Sequence, residues 1–220
     1  MVIEILPIRP NPRETYQNQV IDLCKLLKDE AGKSFRVSVF RLLTKTARDF
    51  ARSGRSHFHE IGDAKIFLRD HPLDIRALKI MDELDKLYSA PIDQIDNLRG
   101  AVGEVFSLFI CRKIYSKTNI EVKVKINMWL SNSIDVAGCS EEKGHCIQSK
   151  CTMSGIESIK KQKGELDKIE ELTAGRAKGV FITFVDRGAF LQSLKIRGID
   201  SSSYKILDRA DLFVLEDRLS

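Results

Sequence analysis

The chain has 220 residues, 43% hydrophobic and 30% charged, with a formal net charge of +5. That composition suits a soluble globular protein with one sizeable core and a helical layer against it, and the mild basic excess admits a polyanionic partner without requiring one. No apolar run approaches the roughly 20 residues of a membrane-spanning helix, and five cysteines, an odd number, speak against a disulfide framework.

The start, "MVIEILPIRPNPRE", is interrupted by Glu4, and no small-residue cleavage site follows, so no signal peptide is expected. A cytoplasmic protein with free thiols is the expectation. Pro7, Pro10 and Pro12 oppose a helix, so residues 1–12 form an extended arm. From about 13 to 90 the pattern is helical. "YQNQVIDLCKLLKDE" places Val20, Ile21, Leu23, Cys24 and Leu27 on one side. "SFRVSVFRLLTKTARDFARSGR" predicts one helix from an N-cap at Ser34 to about Gly54. "PLDIRALKIMDELDKLY" opens with Pro72 near a helix start, and Pro91 follows its end.

The rhythm changes after Pro91. Residues 92–115 predict one more helix. "NIEVKVKI" alternates, with Ile120, Val122, Val124 and Ile126 on one face and Glu121, Lys123 and Lys125 on the other. "SIDVAG" and "HCIQSKCTM" follow as two strands around the turn "CSEEKG". A helix then carries Ile159, Leu166, Ile169 and Leu172 on one face and stops at Gly175. "GVFITFV" is continuously apolar, the mark of a strand covered on both faces and paired in parallel across the preceding helix. "RGAFLQSLKIRG" predicts a last helix and "ADLFVLE" a last strand. The expected fold class is α/β, α-β-β-β-α-β and then α-β, with a helical region over 1–91 and a second domain over 92–220.

The hairpin carries unusual polar residues. Gln148 and Lys150 share one strand face, Asp135 lies on the neighbouring strand, and Glu104 sits on the preceding helix beside Gly100 and Gly103, which permit close backbone approach. Two carboxylates, an amide oxygen and an ammonium suit a divalent cation bound together with substrate phosphate.

In this order, helix Glu104, strand Asp135, then Gln148-x-Lys150 on the next strand, the chain resembles the PD-(D/E)xK nuclease superfamily, whose fold is that of type II restriction endonucleases and archaeal Holliday-junction resolvases. The resemblance covers about residues 92–185. Ile134 stands where the family often has Pro, and Gln148 where Asp or Glu is usual; Mrr-type nucleases are similar in carrying Q-x-K. The resemblance implies a divalent-metal-dependent nuclease, an endonuclease on DNA that acts as a homodimer and uses Mg²⁺ or Mn²⁺. Glu104, Asp135, Gln148 and the carbonyl of Ser149 would be metal ligands, with Lys150 completing the catalytic set. It also implies that Lys160 and Lys163, on the next helix, line the site. The alternative is a catalytically silent nucleic-acid-binding or protein-interaction module on the same fold.

Arg41, Lys45, Arg48, Arg52 and Arg55 recur at steps of four and three, which on one helix makes a basic stripe for phosphates or a merely solvated face. Asp49 is the one acid between 34 and 55. "AGKS" at 31–34 lacks the preceding strand and glycine of a phosphate loop. Cys139, His145, Cys146 and Cys151 fit no zinc knuckle spacing, and "SHFHE", whose His57 and His59 a helix would point apart, is read as a loop with no ligand role.

Overall fold

A computed structural model of the chain describes residues 3–29, 33–46, 49, 61, 75–151, 156–213 and 219. In chain order the elements are β1 (Ile3–Pro7), α1 (Glu14–Gln19), α2 (Ile21–Asp29), α3 (Lys33–Leu43), α4 (Ile75–Tyr88), α5 (Ile92–Ile114), β2 (Lys117–Ile126), β3 (Trp129–Leu130), β4 (Ile134–Cys139), β5 (Gly144–Lys150), α6 (Ile156–Leu172), β6 (Ala177–Thr183), α7 (Arg187–Ile196) and β7 (Ile206–Leu207). A single mixed sheet runs β1-β2-β4-β5-β6-β7, with β3 paired to β2. The first pairs are antiparallel, and β5-β6 and β6-β7 are parallel. The α/β class is therefore present, and the order expected after Pro91 is kept with one short strand, β3, added to it.

Two apolar clusters cover the two faces of this sheet. One draws Leu23, Phe40 and Leu84 from the helical half together with Val102 and Phe106 of α5 and Val136, Ile147 and Val180 of the sheet. The other packs Ile159, Leu166 and Ile169 of α6 and Phe190 and Leu194 of α7 against Val122, Ala137, Cys146 and Phe181. Strand β6 thus buries Val180 and Ile182 on one side and Phe181 on the other, as its unbroken apolar run predicts. Helix α6 connects β5 to the parallel β6 and ends where Gly175, at φ +77°, donates its N–H to Glu170 O at 2.8 Å.

Four expectations give way. The arm is not merely extended: Ile3 to Pro7 pair antiparallel with Ile126 to Val122, so the N-terminus forms one edge of the sheet. The helix from 34 ends at Leu43 and begins at Lys33, which puts Ser34 inside it. Its terminal carbonyls are taken by side chains from other helices. Arg99 Nε donates to Leu43 O at 2.8 Å, and the Tyr88 hydroxyl donates to Leu42 O at 3.0 Å. Thr46 and Asp49 then exchange backbone-to-side-chain bonds (Thr46 N–H to Asp49 Oδ2, 2.9 Å; Asp49 N–H to Thr46 Oγ1, 3.0 Å), the reciprocal pattern of a capping box. The basic stripe is therefore not continuous on one helix: Arg41 is in α3 and Lys45 in the turn after it, while Arg48, Arg52 and Arg55 lie outside the described residues. The histidines of "SHFHE" and Pro72 also lie outside them. Finally, the last strand is Ile206–Leu207; Asp211–Phe213, within the stretch expected as a strand, is a 3-10 turn.

Candidate metal centre

Helix α5 crosses the sheet closely because Gly103 has no side chain. A methyl group there would collide with the Ser149 hydroxyl of β5. The next residue, Glu104, is thereby set against the sheet and is 1% exposed. Its Oε1 accepts from Arg13 Nη1 at 2.6 Å, and its Oε2 accepts from Gln17 Nε2 at 2.9 Å. Arg13 reaches it across Gly100 and also donates to Asn97 O at 3.1 Å.

Below Glu104 the β2-β4 ladder is interrupted. Ile120 pairs with Val136 and Val122 with Ile134, but the rung between them, Glu121 and Asp135, does not pair. Glu121 has φ +47°, a left-handed conformation that costs a non-glycine residue on the order of 1–3 kcal/mol. Both strands change sides at this rung. Ile120 and Val136 pack in the α5-side cluster, Val122 and Ile134 in the opposite one. The two carboxylates at the break are thus released from simple pleat alternation. Glu121 is buried, which corrects the expectation that it shares a solvent face with Lys123 and Lys125.

Glu104, Glu121 and Asp135 each offer an oxygen, and these atoms lie within 4.8 Å of one another. The Asp135 Oδ2 accepts the Ser149 N–H at 2.7 Å, and the Ser133 hydroxyl donates to Glu121 Oε2 at 3.0 Å. Burial raises the pKa of Glu104, and the charge of Asp135 raises it further; Arg13 and Gln17 oppose this without overcoming it. Burial also raises Asp135, with the Lys150 ammonium the largest opposing influence. Three carboxyl groups face the two cations Arg13 and Lys150, so full ionisation would leave surplus negative charge.

Gln148 is fully buried on β5. Its Nε2 donates to Ser133 O at 3.0 Å, the same serine whose hydroxyl binds Glu121, while its Oε1 has no hydrogen-bond partner. An orphaned buried amide oxygen carries a desolvation cost of about 1–3 kcal/mol that a cation would relieve. The structure therefore brings Glu104 and Asp135 together, links Gln148 through Ser133 to Glu121, and sets the Lys150 charge against Asp135. Of the two α6 lysines expected to line the site, Lys160 pairs with Glu157 at 3.3 Å, and Lys163 pairs with Asp167 and lies 5.4 Å over the Tyr204 ring.

Three site residues escaped sequence reasoning. Glu121 depends on a local break in pairing, and Arg13 and Gln17 reach the site from the other end of the chain. The interleaving of one acid with Lys123 and Lys125 was the sole local trace of Glu121. All five cysteines are free, four of them buried, and the only cluster of three or more acid, His or Cys ligands among the described residues is the acidic one.

Neither family models nor curated proteins match the chain. Among solved structures, it is similar to the crystal structure of protein VC1899 from Vibrio cholerae, with 14% identity and a TM-score of 0.47, covering 99% of this chain and 57% of that one. It is also similar to Can2 from Sulfobacillus thermosulfidooxidans in complex with cyclic tetra-adenylate, with 15% identity and a TM-score of 0.39, covering 87% and 57%. The chain thus spans somewhat over half the length of each. With TM-scores below 0.5, neither likeness bears on what this chain does. No helix among the described residues is long and apolar enough to cross a membrane.

Proposed function

We propose that the chain is a divalent-metal-dependent nuclease that hydrolyses phosphodiester bonds, with Glu104, Glu121 and Asp135 as its acidic ligands. The observation that carries this is the convergence of three carboxylates, their oxygens within 4.8 Å, at a broken rung of the sheet. Hard oxygen donors of this kind suit Mg²⁺ or Mn²⁺. The ion would be held by these carboxylates, Gln148 Oε1 and the Ser149 carbonyl. When bound, it supplies an acidified water and neutralises charge on the phosphate.

The chain's own groups have separable roles. Asp135 is fixed by the Ser149 N–H, so its second oxygen is free to bind a cation. Arg13 and Gln17 orient Glu104. Lys150, whose charge acts on Asp135, stabilises negative charge developing at phosphorus or orients the attacking water. The substrate is DNA in this reading, and a duplex-cutting form would be a homodimer. Residues 92–220 supply the acidic ligands and Lys150, and residues 1–91 supply substrate or dimer contacts besides Arg13 and Gln17. Arg41 and Lys45, with Arg48, Arg52 and Arg55, and Lys160 and Lys163 are the candidate phosphate contacts.

One observation favours the alternative, a silent nucleic-acid-binding module: Arg13 and Gln17 already occupy both oxygens of Glu104. Cleavage of labelled single-stranded, duplex and junction DNA and of RNA, with Mg²⁺ or Mn²⁺, decides between them. Lys150→Ala should lower the rate by about 10²–10³, the usual cost of one electrostatic donor. Wild-type protein that cuts none of these substrates while Gln148→Glu cuts them would replace the nuclease with the silent module.

A further inference from the structure

A cavity of about 430 Å³ opens beside the acid cluster, between the arm, α1, α5 and the start of β2. Its size falls in the ~300–1,000 Å³ range of small-ligand pockets. Its lining is mixed in a particular way. Leu108, Phe109 and Ile120 are apolar, and Phe109 and Ile120 are only half-buried. Arg9 and Arg112 are exposed, and neither is held by a carboxylate among the described residues. Asn18 and Asn119 add amides, and Glu14 is the single acid in the lining. The Asn119 Oδ1 is taken by the Ile120 N–H at 2.9 Å, which leaves its NH₂ as a donor.

The wall of this cavity is also the wall of the metal centre. Asn11 Nδ2 donates to Gln17 Oε1 at 2.8 Å, and Gln17 Nε2 donates to Glu104 Oε2 at 2.9 Å. Both Asn11 and Gln17 line the cavity. A ligand here would sit one side chain away from Glu104.

We propose that this cavity receives an unpaired nucleotide of the strand being cut, its base against Phe109 and its phosphates on Arg9 and Arg112. The inference rests on the nuclease reading and deepens it: it makes the substrate single-stranded at this position. Aromatic side chains stack bases irrespective of sequence, and guanidinium groups match phosphate oxygens two at a time. Carboxamides facing a base edge add hydrogen bonds that a duplex would already have used.

The test separates binding from cutting. Anisotropy of a 5′-fluorescein single-stranded DNA oligonucleotide is measured in EDTA, where no metal supports cleavage, across a salt series. Phe109→Leu should weaken binding by about fivefold or more, the lower end of a lost base stack. Arg9→Ala and Arg112→Ala should each reduce the slope of log K against log salt by about 0.7. Both arginines are exposed, so these two variants carry the test if Phe109→Leu fails to fold; melting temperatures check all three. Unchanged affinity and slope would overturn the pocket and leave the nuclease standing. Free adenosine monophosphate binding as tightly as the oligonucleotide would overturn the strand assignment. Weakened binding in these variants, from a protein that cuts nothing with Mg²⁺ or Mn²⁺, would keep the pocket and remove the nuclease.

Discussion

Two carboxylates in this molecule are held in nearly the same way and behave oppositely. Asp135 accepts a strand N–H from Ser149 at 2.7 Å and feels the charge of Lys150. Glu170 accepts a strand N–H from Gly179 at 2.8 Å and pairs with Lys205 through both oxygens at 2.7 Å. Yet Asp135 is pushed up and Glu170 is held down. For Glu170, burial is the largest single influence, but Lys205 and the Gly179 N–H together outweigh it. For Asp135, burial wins, and Glu121 adds to it. Glu170 is a structural charge matched by its surroundings. Asp135 belongs to a set of three carboxylates that burial drives to hold protons, so the set becomes surplus in negative charge only when those protons are shed.

That contrast is tested most strongly by metal binding. Calorimetric titration with Mn²⁺ should show Asp135→Asn weakening affinity by about 10-fold or more, while Glu170→Gln leaves it unchanged. Equal effects would show that the acid cluster has no special claim on a cation. The same titration at rising pH should give progressively tighter binding and proton release, because Glu104 and Asp135 hold protons above the ordinary carboxylate range and must shed them to ligate.

Melting in EDTA gives the next effect, with opposite signs at the two positions. A carboxyl whose pKa is raised on folding costs stability as pH rises from its unfolded value through its folded one, and the cost is full above that. Asp135→Asn should therefore raise the melting temperature at pH 8, by roughly 2–6 °C for a chain of this size, and change it little near pH 4. Glu170 has a lowered pKa, so its contribution is present above the ordinary carboxylate value and fades as pH falls through the folded one. Glu170→Gln should lower the melting temperature at pH 8 by no more than about 2 °C, since solvent screens its partly open pair. A drop for Asp135→Asn at pH 8 would contradict the surplus-charge account.

The smallest effect concerns Gln148. Its amide oxygen lacks a partner, and Gln148→Glu would put a full charge there. Mn²⁺ affinity should rise by about threefold to tenfold, with further destabilisation in EDTA, because one more buried acid joins the set. Unchanged affinity would place Gln148 outside the ligand shell, leaving it as a side chain that holds Ser133.

Much of this was legible in the chain. Helix α5 is written in its apolar content and in Pro91 before it, and Gly103 marked the close approach that sets Glu104 on the sheet. The unbroken "GVFITFV" run specified a doubly covered strand, and Gly175 the end of α6, because local pattern and local backbone conformation decide these. The spacing of Asp135, Gln148 and Lys150 followed from a short hairpin, in which turn length fixes register.

Tertiary structure alone decided the rest. The sequence over 34–55 carries one uninterrupted helical rhythm, and α3 stops at Leu43 because Arg99 and Tyr88, remote in the chain, satisfy its last carbonyls. Arg13 and Gln17 join Glu104 across about ninety residues because β1 docks on β2 and draws the arm over α5. Glu121 looks in sequence like a solvent-facing partner of two lysines. It becomes a candidate ligand only where two strands break their pairing at a single rung, a feature set by the packing of both strands against two different helical layers and invisible to the period of either one.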